Sequence, residues 1–161
     1  MTNTSSEVGI DPRSPRFGAG ITTLLLGGIL LWGWNESLSP ASALVDRWLT
    51  PAGLLLTLVV ALFAVGASGI QRHPYGTIFR KLIRPRLSAP RHLENPKPPT
   101  FAQLVGFFIT GVGLVLHLGG LPFALIFAVA MALVAAFLNA AFGLCLGCEL
   151  YSLLLRLRGA R

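Results

Sequence analysis

"PPTFAQLVGFFITGVGLVLHLGGLPFALIFAVAMALVAAFLNAAFGLCLGC", residues 98–148, is a run of 51 residues without one charged side chain. A helix needs about 20 apolar residues to cross a bilayer, so this run is too long for one crossing and sufficient for two. Its breakpoint is "HLGGLP", residues 117–122, where two glycines precede a proline suited to a helix start. Outward from there, residues 17–34 form an uncharged stretch of 18 and residues 48–71 one of 24. The expected fold class is all-α and integral to a membrane. It has four transmembrane helices in one bundle, near 17–35, 49–70, 101–118 and 121–143. Each span must be helical, because hydrocarbon offers the backbone no hydrogen-bond partner. Residues 1–16 make an N-terminal tail, residues 71–100 the large loop, and residues 145–157 a short C-terminal helix.

Composition agrees with that division. The 161 residues are 53% hydrophobic and only 12% charged, against roughly 25% in soluble domains. A net charge of +7 could suggest nucleic acid, but all 13 Lys and Arg residues lie outside the long apolar runs. That is the pattern of membrane-flanking loops, and it speaks against a nucleic-acid partner. The loop after the first span holds Glu36, Asp46 and only Arg47, whereas residues 71–99 hold seven basic residues against Glu94. Alternating crossings put twelve of the thirteen basic residues on one side. The expectation is a bacterial cytoplasmic membrane protein with both termini and the large loop in the cytoplasm. Ala41-Ser42-Ala43 resembles a signal-peptidase site, but the preceding apolar stretch is longer than a signal h-region and ends in two tryptophans.

Within the large loop, Tyr75, Ile78, Phe79, Leu82 and Ile83 fall at helical spacing, with Arg80, Lys81 and Arg84 elsewhere round the wheel. This predicts an amphipathic helix on the cytoplasmic leaflet, with Arg80, Lys81, Arg84 and Arg86 as a basic anchor or docking loop. The proline-rich "RPRLSAPRHLENPKPPT" after it reads as irregular. In the last span Ala124, Ala128, Ala132, Ala136 and Ala140 recur every four residues. Small residues so spaced let a neighbouring helix approach closely, and Gly106, Gly113 and Gly66 are the expected counterparts.

The only two cysteines, Cys145 and Cys148, stand three apart at the cytoplasmic end of that span, between Gly143 and Gly147. Three uses fit the spacing: a reversible disulfide, half of a zinc site, or two buried small hydrophobes. Zinc lacks two further ligands, and a permanent structural disulfide does not suit a reducing compartment. A helix starting near Cys145, with Leu150, Leu153, Leu154 and Leu157 buried, would favour a thiolate through its dipole, and Glu149 would oppose it. Asn139 is expected to make an interhelical hydrogen bond or line a pocket, and His117 to be solvated at the outer end of its helix. No phosphate loop, catalytic triad or metalloprotease motif occurs, so no metal or cofactor is expected, and no intramembrane carboxylate pair equips a proton pump.

"IDPRSPRFGAGIT", "RHPYGTIFRKLIRPRL", "ENPKPPTFAQLVG" and "LVAAFLNAAFGLCLGCELY" together resemble a bacterial membrane-protein family grouped as domain of unknown function 4395. The resemblance implies a small four-helix membrane protein encoded beside thioredoxin-like or sulfurtransferase proteins. It supports Cys145 and Cys148 with the surrounding Asn139, Gly143, Gly147 and Glu149. The tail also resembles, more loosely, the cysteine-bearing helices of membrane rhodanese-type sulfurtransferases. The leading expectation is a cytoplasmic-facing thiol relay in which Cys145 attacks and Cys148 resolves. It would exchange a disulfide or persulfide with a soluble thioredoxin-like or sulfurtransferase partner. One alternative is a non-enzymatic membrane anchor or assembly subunit with structural cysteines. Another is a carrier for a small sulfur compound.

Overall fold

A computed structural model describes residues 9–38, 43–90 and 92–159. The first helix, α1, spans Arg13–Leu38; a short α2, Leu44–Leu49, leads into α3, Pro51–Ala67. The large loop carries α4, Pro74–Ile78, continued by a wide turn over Phe79–Ile83 and a tight one over Arg84–Arg86. Then come α5, Lys97–Leu118, α6, Ala124–Phe142, and α7, Leu146–Gly159. Residues 1–8 of the expected tail, and most of the Ala41-Ser42-Ala43 motif, lie outside the described residues.

Among the described residues, α1, α5 and α6 are long and apolar enough to cross a membrane. Their 26, 22 and 19 residues correspond to about 39, 33 and 28 Å, against a hydrocarbon core of about 30 Å. Helix α3 is apolar but has only 17 residues, about 26 Å. It is shorter than the helix expected near 49–70 because both of its ends are capped. Pro51 occupies its first turn and Thr50 Oγ1 accepts from the Gly53 N–H at 3.1 Å. At the other end Gly69, at φ +140°, turns the chain away. Helix α5 begins four residues earlier than expected. Pro98 and Pro99 lie in its first turn, where a missing N–H costs nothing.

The long helices alternate in direction. At one end Arg16 reaches the Ala140 and Ala141 carbonyls, and Thr100 Oγ1 accepts from Ile70 N–H. At the other, Glu36 accepts from Ala52 N–H and Arg47 donates to Leu118 O at 3.0 Å. Leu24, Leu31, Phe108, Val115, Phe127 and Phe142 form an exposed apolar belt. A belt of that kind marks a membrane protein, because its natural solvent is lipid.

The packed core is concentrated at the Arg47 end: Leu26 and Ile29 of α1, Ala52, Leu56 and Val59 of α3, and Leu125 and Val129 of α6. The alanine repeat meets one of its expected counterparts there, since a Cβ on Gly113 would collide with Ala128. Gly106 faces the Phe63 ring, and Gly66 faces Gln103 and His73. His117, expected to be solvated, is 8% exposed and its Nε2 has no partner. Arg47, on the loop that carries α2, closes over this end of α5. Two amphipathic expectations also need correction. The expected helix is present as an unbroken helical run over 74–86, wider over Phe79–Ile83 and tighter over Arg84–Arg86, but its apolar residues do not share one environment. Tyr75 and Phe79 are buried against Gly18 and Phe17 of α1, whereas Ile78 and Leu82 are exposed. On α7, Leu150, Leu153, Leu154 and Leu157 are exposed, because the helix rests on α5 through Gly147 and Tyr151 instead.

A cavity closed by the cysteine pair

The half of the bundle opposite the packed core is hollow. A cavity of about 290 Å³ lies between the N-terminal halves of α1 and α5 and the C-terminal half of α6, with the α4 and α7 connections forming its floor. Its apolar wall includes Phe63, Ile109, Met131, Ala135 and Ala136. Its polar lining residues are Ser14, Thr22, His73, Tyr75, Gln103 and Asn139, and Cys145 stands at its edge.

Local chemistry explains how each polar group is held. His73 precedes a proline and is extended, at φ −60° and ψ 132°, as that position favours. Its side chain caps α4, with Nδ1 accepting from the Tyr75 N–H at 3.3 Å. The neutral ring therefore carries its proton on Nε2. Burial pushes the His73 pKa below its ordinary value, which keeps the imidazole neutral near pH 7. The rings of His73 and Tyr75 lie 4.5 Å apart. Burial raises the Tyr75 pKa, and its phenol shares a hydrogen bond with Thr22 of α1. Gln103 of α5 packs against Gly66 and leaves its Oε1 buried without a partner. Asn139 is half-buried in the last turns of α6 and lines the cavity.

Helix α6 ends at Phe142 because Gly143 adopts a left-handed conformation, φ +72°, that an L side chain resists. Its N–H returns to Asn139 O at 3.0 Å, and Arg16 lies over the last carbonyls, matching a cation to the negative end of the helix. The chain then reverses through Leu144 and Cys145 into α7. Gly147 permits this, since a Cβ there would lie 2.5 Å from that of Ala102.

Cys145 and Cys148 are joined as a disulfide, with Cα atoms 5.2 Å apart. The pair, expected as a reversible disulfide or persulfide couple with a permanent structural bridge disfavoured, is bridged here; spacing of three across a helix start brings the sulfurs together. The Cys148 N–H points at Cys145 Sγ, 3.3 Å away, and Glu149 is exposed in the same first turn. Asn139, Cys145 and Gly147 thus line one end of the cavity, whereas Gly143 lies outside it against Arg16. The basic loop residues are not part of that wall. Arg80 donates to Gln71 O and Thr77 Oγ1, Arg86 bonds Leu82 O, and Lys81 and Arg84 are exposed. Among the described residues no group of three or more His, Cys, Asp or Glu could hold a metal.

Sequence reasoning missed His73, Tyr75 and Gln103. His73-Pro74 carried a visible cap signal, but nothing local announces that Gln103 faces inward. The chain matches no curated protein and no solved structure. The description of the domain of unknown function DUF4395 matches residues 10–156. That match covers nearly all of the helical bundle, the cavity and the cysteine pair, and the chain belongs to the DUF4395 family.

Proposed function

We propose that this protein is a membrane thiol relay, with the Cys145–Cys148 pair exchanging a disulfide or persulfide with a soluble thioredoxin-like or sulfurtransferase partner. One observation carries the reading: the only two cysteines meet at the edge of the one hollow half of the bundle. On this reading α3 is the fourth span, its shortfall of about 4 Å taken up by the polar turns at its ends. The end of the bundle bearing Arg13, Arg16, Arg72, Lys97, Arg156 and the α4 loop is cytoplasmic, in a bacterial plasma membrane.

In the reduced state the Cys148 N–H and the start of α7 favour a thiolate on Cys145. Cys145 attacks the disulfide of the oxidised partner, a mixed disulfide forms, and Cys148 displaces it to close the bridge. The reverse sequence lets a partner dithiol reopen the bridge. The uncharged cavity wall favours this reading over carriage of a sulfur oxyanion. A second reading, a non-enzymatic anchor, is supported by the exposure of Lys81 and Arg84 in the basic loop.

The test counts thiols in freshly isolated membranes with one alkylating mass tag before reduction and another after. A bridge that opens and closes with the oxidant or sulfur supply is the expected result. A Cys148→Ser variant should then trap a reducible adduct at Cys145, and Cys145→Ser should trap none. A pair that stays bridged under every supply, with no adduct in either variant, overturns the relay.

A further inference from the structure

We infer that the cavity beside Cys145 binds a lipid-soluble quinone, which serves as the two-electron oxidant of the cysteine pair. The electron-transfer part of this rests on the relay reading; the occupancy of the cavity does not.

A pair reduced by a partner dithiol must hand on two electrons and two protons before it can act again. The quinone balances that step: the S–S bond forms as both S–H bonds are lost, and the two electrons and two protons convert quinone to quinol. The cavity suits such an acceptor in four respects. It touches Cys145. It extends along α6 from Asn139 to Met131, eight residues or about 12 Å. No Asp, Glu, Lys or Arg lines it, and its single histidine is held neutral by burial. A neutral ring is therefore accepted, while a sulfur oxyanion or a phosphate-bearing cofactor would be stripped of water without a counter-charge. Its volume, about 290 Å³, stands at the lower end of ligand pockets and admits one ring head.

The polar groups fit both redox states. His73 Nε2–H and the Asn139 amide are donors for quinone carbonyls. The Asn139 carboxamide also carries an acceptor for a quinol hydroxyl, so one side chain of the wall serves both redox states. Access comes from the bilayer. Met131 and Leu150 line the cavity yet are 60% and 42% exposed, so the wall opens on the belt that faces lipid. A quinone tail leaves by that opening.

Binding is tested first on the full chain with both Cys145→Ser and Cys148→Ser, in phosphatidylcholine nanodiscs titrated with a one-isoprene benzoquinone. A saturable rise in thermal midpoint is expected. Asn139→Leu removes a polar group of the wall and keeps the volume, so the fold should hold while half-saturation shifts about tenfold or more to weaker binding. Ala136→Phe should abolish the rise by filling the cavity. The pre-reduced wild-type chain is then mixed anaerobically with the same quinone. Loss of quinone absorbance should accompany one new disulfide per quinone reduced. Absence of saturable binding, or binding that both variants leave unchanged, overturns the site even if the relay stands. Saturable binding without oxidation of the dithiol overturns the electron-transfer role and leaves the relay to its own thiol-counting test.

Discussion

The contact between Gly113 and Ala128 offers a direct measurement of how closely α5 and α6 pack. A Cβ added to Gly113 would overlap that of Ala128, with the Ala124 carbonyl 3.6 Å away. Gly113→Ala gains about 1 kcal/mol of helix propensity. It also overpacks a helix interface, which costs about 1–3 kcal/mol, so a net loss of about 1 kcal/mol is expected. Ala128→Gly loses about 1 kcal/mol of propensity and about 1 kcal/mol for the vacated methyl. The double variant moves one methyl across the interface and cancels the propensity terms, so its stability should return to within about 1 kcal/mol of the wild type. Additive singles would instead predict a loss of about 3 kcal/mol, leaving a coupling of about 2 kcal/mol to be measured. Reversible unfolding in mixed micelles, followed by circular dichroism, provides the comparison. A double variant additive to within about 0.5 kcal/mol would refute the close approach.

Two further outcomes follow from the cavity floor. Because burial lowers the His73 pKa from its usual 6.5, the unfolded chain takes up this proton more readily than the folded one. Its contribution to stability is present above that value and lost as pH falls below it, by at most about 1.4 kcal/mol per pH unit. His73→Asn keeps an acceptor for the Tyr75 N–H without the titration, so its stability should fall less between pH 7 and pH 5 (roughly the window below an ordinary histidine pKa). An identical slope in both proteins would show that His73 is not the group responsible. Gly147→Val would drive a Cβ to 2.6 Å from the Ala102 Cα, a backbone atom that cannot swing aside. Helix α7 should lift from α5, with loss of amide protection over residues 147–151 in hydrogen exchange, while the amides of α3 stay protected. Unchanged protection of α7 would place its anchor elsewhere.

Much of the site region was legible because its signals are local. The cysteine spacing, the helix-ending Gly143 and the small Gly147 each act through neighbours a few residues away. The helix boundaries were less legible where a capped or proline-led end replaced the end of an apolar run, as at Pro51 and Pro98. His117 and Gln103 show the harder limit. Each is a polar residue in an apolar helix, and whether it meets solvent or another helix depends on a crossing that no periodicity encodes.

By itself the sequence determined that this is an all-helical protein for a membrane, how its basic residues alternate about the apolar runs, and that both sulfurs lie at one helix end. Those properties follow from run length and from the cost of placing charge or unpaired backbone in hydrocarbon, and both are readable along the chain. Only the tertiary structure decided that the Arg47 end packs solid and the other end is hollow. It also brought His73, Tyr75, Gln103 and Asn139, from three separate parts of the chain, around the space beside Cys145. Lipid is as apolar as the helix faces, so hydropathy cannot tell a wall that faces lipid from one that faces a cavity. The fit of small and large side chains across helix crossings makes that distinction.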